Sequence, residues 1–124
     1  MQLDTMPGTF AVCLLNEFPD AQTLSSLAEP FFLSATGQEI SLVCPSDVVP
    51  RQVAACHGGW AMLRVAGPLD FDQVGILAAL TTTLASEDIP VFVVSTYLTD
   101  YLLVPGDRLA DAEDALTAAG HTIG

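Results

Sequence analysis

The chain has no lysine. Its only fixed positive side chains are Arg51, Arg64 and Arg108, against fifteen Asp and Glu, for a net charge of −12. Phosphate backbones are held by clustered Lys and Arg, so this balance argues against nucleic acid and against an anionic membrane as partners. The missing lysine also removes Schiff-base chemistry, and no Gly-rich phosphate-binding motif is present. Histidine is nearly as scarce. His57 lies in a Gly-rich link and His121 near the end, so neither supplies an evident base for a Ser or Cys nucleophile. No catalytic residue is assigned and no enzyme is expected. No apolar run approaches the roughly 20 residues of a membrane span. The opening MQLDTMPGTF lacks a basic region followed by an apolar one, so the expected location is the cytoplasm.

Cysteine is limited to Cys13, Cys44 and Cys56, an odd set without CxxC spacing. Cys13 and Cys44 sit in apolar runs, where a free thiol behaves as a small hydrophobe. A disulfide framework is not expected. Cys56-His57 is the only adjacent pair of soft ligands, which falls short of zinc-site spacing. No metal and no cofactor are expected.

What is present is apolar material: 51% of the 124 residues. That is enough for a core in one compact domain or two very small ones. The acidic surface would attract a cationic ligand or a basic protein, or would serve solubility alone.

Thr9–Asn16 reads as a strand ended by Pro19, with a helical turn at Leu24–Ala28. Phe31–Ala35 and Glu39–Val43 read as strands around Thr36-Gly37-Gln38, a hairpin connection. Ser46 would cap a short helix between Pro45 and Pro50. His57-Gly58-Gly59 is the expected hinge. Trp60–Ala66 is a strand, with Arg64 placed to pair with an acid across the sheet or to lie at a subunit surface. Asp70 and Gln73 match a capping box, opening a helix that runs to about Ser86 with Leu77, Leu80 and Leu84 on one stripe. Val91–Thr96 and Tyr101–Val104 make an antiparallel hairpin. A last helix spans Asp107 to Ala119 with Leu109, Ala112, Leu116 and Ala119 inward, and Gly120 ends it. His121–Gly124 is a short final strand.

Residues 59–124 therefore read β-α-β-β-α-(β), the ferredoxin-like order, with two helices on one face of an antiparallel sheet. Residues 1–58 read as a reduced copy by element order, without a clear sequence repeat. The expected fold is α+β, two tandem ferredoxin-like units with the first reduced.

Polar residues gather in the loop Gly67–Gly75 and the turn Ser95–Asp100, which would face each other across a small cleft. A helix start offers unpaired N–H groups and partial positive charge to a carboxylate. Gly75 either admits a ligand closely or lets the helix pack tightly on the sheet. Asp100 either holds an amino or guanidinium group or stabilises its own turn. Asp72 either meets a cation or favours the helix dipole. Tyr97 and Tyr101 either stack on a ligand or pack across strands.

Two blocks, Gly67-Pro68-Leu69 … Phe71 … Val74-Gly75-Ile76 and Ser95-Thr96-Tyr97 … Thr99-Asp100-Tyr101 … Leu103-Val104, resemble the ACT-domain proteins, in particular the small tandem-ACT group that includes the CASTOR amino-acid sensors. The resemblance covers Trp60–Gly120 and extends more weakly over Thr9–Val49. It implies a regulatory protein that binds an amino acid or similar metabolite without catalysis. It also implies a homodimer or higher homo-oligomer. In the same terms, Asp70, Asp72, Gln73, Val74, Gly75 and Ile76 would meet the ligand's backbone end, and Thr96, Tyr97, Thr99 and Asp100 the remainder. Thr99 stands where those sensors carry an aromatic residue, which would leave the pocket more open. The competing reading is a ligand-free interaction or oligomerisation module that regulates a biosynthetic enzyme.

Overall fold

The computed structural model describes residues 1–67, 69 and 74–124. Its elements run β1 Gln2–Leu15, α1 Ala21–Ser25, β2 Phe32–Ala35, β3 Ile40–Pro45, β4 Val53–Val65, α2 Ile76–Ser86, β5 Phe92–Ser95, β6 Asp100–Pro105, α3 Leu109–Ala118 and β7 Thr122–Ile123. They form two compact units: Gly8–Trp60, and Met1–Pro7 with Ala61–Gly124. The first seven residues thus go with the C-terminal half, where the sequence reading divides the chain at 58/59. The reason is local. Gln2 and Leu3 pair in parallel with Thr122 and Ile123, and Leu3 is fully buried in the core of that unit. The expected start of the first strand at Thr9 is corrected accordingly to Gln2, and the sheet is not wholly antiparallel.

In the unit Gly8–Trp60 the strand order is β2-β3-β1-β4. β2 and β3 form the expected antiparallel hairpin, Phe32 opposite Val43 and Ala35 opposite Ile40. β3 also pairs antiparallel with β1, Phe10 opposite Pro45 and Leu15 opposite Ile40. Alternate residues face one core, made by Ala11, Cys13, Leu15, Leu27, Leu42 and Cys44. Its helix is one short turn. The Asp20 carboxylate caps it by accepting the Thr23 N–H at 2.8 Å. Ser25 and Ser26 then donate back to the Gln22 and Thr23 carbonyls, the local bonding that disfavours continued helix. Ser46 is not the expected cap. Ser46–Val48 is a 3-10 turn with Pro45 before it and no side-chain cap bond; the Ser46 hydroxyl instead lies 3.0 Å from that of Thr9. The expected hinge His57-Gly58-Gly59 lies inside β4.

In the other unit β6 lies beside β4 and β5 beside β6, with Phe92 opposite Leu103 and Ser95 opposite Asp100. Leu80 and Leu84 of α2 and Ala112 and Leu116 of α3 are fully buried with Leu63, Val65, Leu102 and Val104. Leu77 is half-buried, and Ala119, expected inward, is exposed. Gly120 takes φ +99°, and its N–H bonds the Thr117 carbonyl while the His121 N–H bonds that of Leu116, both at 3.0 Å. That is the Schellman stop, which favours glycine at this position. Arg64 meets Asp4 at 3.0 Å. Both side chains are partly exposed, so the pair adds little stability.

One regularity was not legible as a sequence repeat. β2, β3 and the 3-10 turn 46–48 recur as β5, β6 and the 3-10 turn 106–108, each shifted by 60 residues. The shift aligns Phe32 with Phe92, Thr36 with Thr96, Leu42 with Leu102, Pro45 with Pro105 and Asp47 with Asp107. The turns match too. Thr36 N–H bonds the Glu39 carbonyl at 2.9 Å, and Thr96 N–H that of Thr99 at 2.8 Å.

His121 gives a pH prediction. Burial, and next the N-terminal ammonium 3.1 Å from Nδ1, hold its pKa below the usual imidazole value. The fold therefore prefers the neutral ring. The stability this contributes is present above the unfolded-state value of about 6.5 and is lost as pH falls through it towards the folded value. Thermal unfolding at pH 8 and pH 5 should show a smaller loss for His121→Gln than for the parent chain.

Candidate functional site

The site lies within the unit Met1–Pro7 with Ala61–Gly124. A cleft of about 360 Å³ opens between the start of α2 and the β5–β6 turn. One wall is Gly75, Ile76, Leu77 and Ala78; the other is Ser95 to Asp100, and Leu69 also lines it. Of the residues singled out in the sequence, Gly75, Ile76, Thr96, Tyr97, Thr99 and Asp100 line it together. Val74 is 91% exposed and does not. Asp70, Asp72 and Gln73 lie outside the described residues, and so does the expected capping box.

The helix starts later than expected, at Ile76, with Gly75 as its N-cap. Gly75 has φ +83°, and among the described residues a Cβ built on it would meet nothing within 4 Å. Tight packing on the sheet is therefore not its reason. The left-handed backbone is, and it costs other L-residues roughly 1–2 kcal/mol. Gly75→Val should lower stability by about that amount, and Gly75→Asn by less, because Asn tolerates this region better. Equal urea midpoints for the two variants would contradict the assignment. A glycine cap brings no side-chain acceptor, so the first-turn N–H groups have no side-chain cap at this position.

The opposite wall is held from within. Leu69 N–H bonds the Leu98 carbonyl at 2.8 Å. The Thr99 side chain, 8% exposed, donates to the Val65 carbonyl at 2.6 Å. Thr96 Oγ1 donates to the Thr99 carbonyl at 3.0 Å. Both threonine hydroxyls thus shape the turn, leaving their oxygens as acceptors only. Asp100 is half-buried, and among the described residues nothing hydrogen-bonds its carboxylate. Tyr97 and Leu98 stand out at 77% and 58% exposure, at the tip of the turn. The sequence reads Gly67-Pro68 as a turn, but not the close approach that Gly67 permits. A Cβ there would come within 3.2 Å of both the Leu98 carbonyl oxygen and Thr99 Cβ, so glycine permits the loop and turn to meet. Its place after a strand and before Pro68 was the available signal.

A helix N-terminus and a carboxylate thus line the same cleft. The chain belongs to the ACT domain family, whose model matches residues 56–118. It is similar to the cytosolic arginine sensor for mTORC1 subunit 1 of Mus musculus, 36% identical over 93 residues, which are 73% of this chain and 27% of that protein. The Homo sapiens counterpart is 33% identical over the same shares. The chain thus spans about a quarter of the length of these relatives. Among solved structures, protein Atu0741 from Agrobacterium tumefaciens superposes with a TM-score of 0.87 at 30% identity, covering 99% of this chain and 91% of that one. The regulatory subunit of aspartate kinase from Thermus thermophilus shares the fold, with a TM-score of 0.68 at 10% identity over 95% and 96% of the two chains. The sheet, antiparallel in its β1–β3, β2–β3 and β5–β6 pairings and parallel at β1–β7, is with its helices of the ACT type. No helix of the described residues is long and apolar enough to cross a membrane.

Proposed function

We propose that this protein is a non-catalytic regulatory module that senses a free amino acid in the cleft between α2 and the β5–β6 turn. The observation that carries this reading is the pairing of a helix N-terminus whose N-cap, Gly75, brings no side chain with a carboxylate that has no partner among the described residues. An α-amino acid is complementary to both. Its carboxylate would sit on the first-turn N–H groups of Ile76–Ala78, where anions are favoured. Its ammonium would face Asp100, a charge-assisted contact. Asp70, Asp72 and Gln73 would complete the site from the loop before the helix. The arginine sensing named for the mouse and human relatives supports the ligand class. The 60-residue recurrence supports two tandem ACT-type units, the first with a shortened helix. Occupancy would act by favouring one arrangement of units or subunits over another, in a homodimer or larger homo-oligomer.

Thermal unfolding against the twenty amino acids tests this. A ligand at 100 times its Kd adds about 2.7 kcal/mol, a shift of several degrees for a domain of this size. No shift from any amino acid would remove the proposal. The exposed Val74, Tyr97 and Leu98 favour a second reading, a turn that docks a protein and needs no metabolite. That reading predicts assembly indifferent to amino acids.

A further inference from the structure

A second cavity, of about 490 Å³, lies against the β5–β6 turn. It is lined by Arg64 and Ala66 at the end of β4, by Tyr101 of β6 and by the turn Thr96–Thr99. Leu63 and Val65 of β4 and Leu102 and Val104 of β6 belong to the core under α2 and α3. Side chains alternate along a strand, so Arg64 and Tyr101 stand on the opposite face of the sheet. Neither Asp100 nor α2 lines this cavity, which sets it apart from the amino-acid cleft. Its size falls in the range of small-molecule sites, roughly 300–1,000 Å³.

Arg64 gives the cavity its chemistry. It is one of three arginines in a chain of net charge −12. A guanidinium carries five N–H donors. Asp4 engages this one through a single bond, Nη2 to Oδ2 at 3.0 Å, where an arginine–carboxylate pair can form a two-bond fork. The Tyr101 side chain interacts with it as well. Its Nε is buried, and no described residue accepts a hydrogen bond from it. Native proteins leave few buried donors in that condition. The side chain as a whole is 42% exposed, so the guanidinium remains within reach of a ligand.

We propose that this cavity is a second ligand site, which binds an aromatic monocarboxylate with its carboxylate on the Arg64 guanidinium and its ring among Ala66, Leu98 and the two tyrosines. A planar guanidinium matches a carboxylate in shape and charge. The negative field of the chain penalises every further negative charge on a ligand, which disfavours phosphates and dicarboxylates and leaves a single carboxylate as the anion. The rest of the lining sets the body of the ligand. Ala66 and Leu98 are apolar, and Tyr97 and Tyr101 bring rings that pair with another ring offset or edge to face.

NMR titration of the full chain with benzoate tests this, with benzamide as the uncharged match of the same shape. Benzoate should give saturable shifts at Arg64, its Nε–H included, and at Ala66, Gly67 and Tyr101. Benzamide should bind at least about tenfold more weakly, since it lacks the charge that the guanidinium meets. Arg64→Gln should weaken benzoate binding by roughly ten- to a hundredfold, the loss of a hydrogen bond to a charged group. That variant also breaks the pair with Asp4. Asp4→Asn breaks the same pair and keeps the guanidinium, so it should bind benzoate as tightly as the parent chain or more tightly. Five results would overturn the proposal: no saturable shift, shifts centred on other residues, equal affinity for benzamide, unchanged binding in Arg64→Gln, or lost binding in Asp4→Asn.

Discussion

Leu84→Ala is expected to destabilise the protein by about 2–5 kcal/mol, the range for emptying a well-packed leucine site. Leu84 is fully buried on α2, among Leu80, Ile89 and Leu116. Alanine is the better helix former, so a loss of stability here is a packing loss and not a loss of helix. Thr82, exposed on the same helix, provides the control. Thr82→Ala should change stability by no more than about 0.5 kcal/mol. Urea unfolding of both variants measures the difference. A cost under about 1 kcal/mol for Leu84→Ala would mean that α2 is not seated on the sheet as described.

Asp100→Asn is expected to weaken amino-acid binding by roughly ten- to a hundredfold, as befits a lost hydrogen bond to a charged group. The fold should not suffer. No described group depends on the carboxylate, and Asn keeps the shape and tolerates turns. Calorimetric titration of the variant, with its unfolding temperature as control, separates the effects. Unchanged affinity would mean that Asp100 serves its turn, the other role its position allows.

The legibility of the fold follows from which forces are local. Leu77, Leu80 and Leu84 announce a helix by spacing, and the hairpin Val91–Val104 announces itself by two apolar runs around a polar turn. The start of β1 was missed because Gln2–Met6 is not patterned as a strand. It becomes one through pairing with residues some 120 positions later. The helix boundary was missed because Gly75 acts through a positive φ, which composition does not reveal. The 60-residue recurrence escaped because equivalent strands share geometry more than identity: Ser41 and Tyr101, or Cys44 and Val104, occupy matching places. At the site, the turn Ser95–Asp100 was legible as a polar gathering. What its threonines do was not, since Thr99 is fixed by the distant Val65 carbonyl.

The central claim, that a free amino acid binds between the α2 N-terminus and the β5–β6 turn, is tested most directly by amide NMR of the labelled protein during titration with the amino acid that raises its unfolding temperature. The account predicts saturable shifts concentrated at Gly75–Ala78 and Ser95–Asp100, with the largest on the first-turn N–H groups and a weaker titration in Asp100→Asn. Shifts centred elsewhere, with these amides unmoved at saturation, would contradict it.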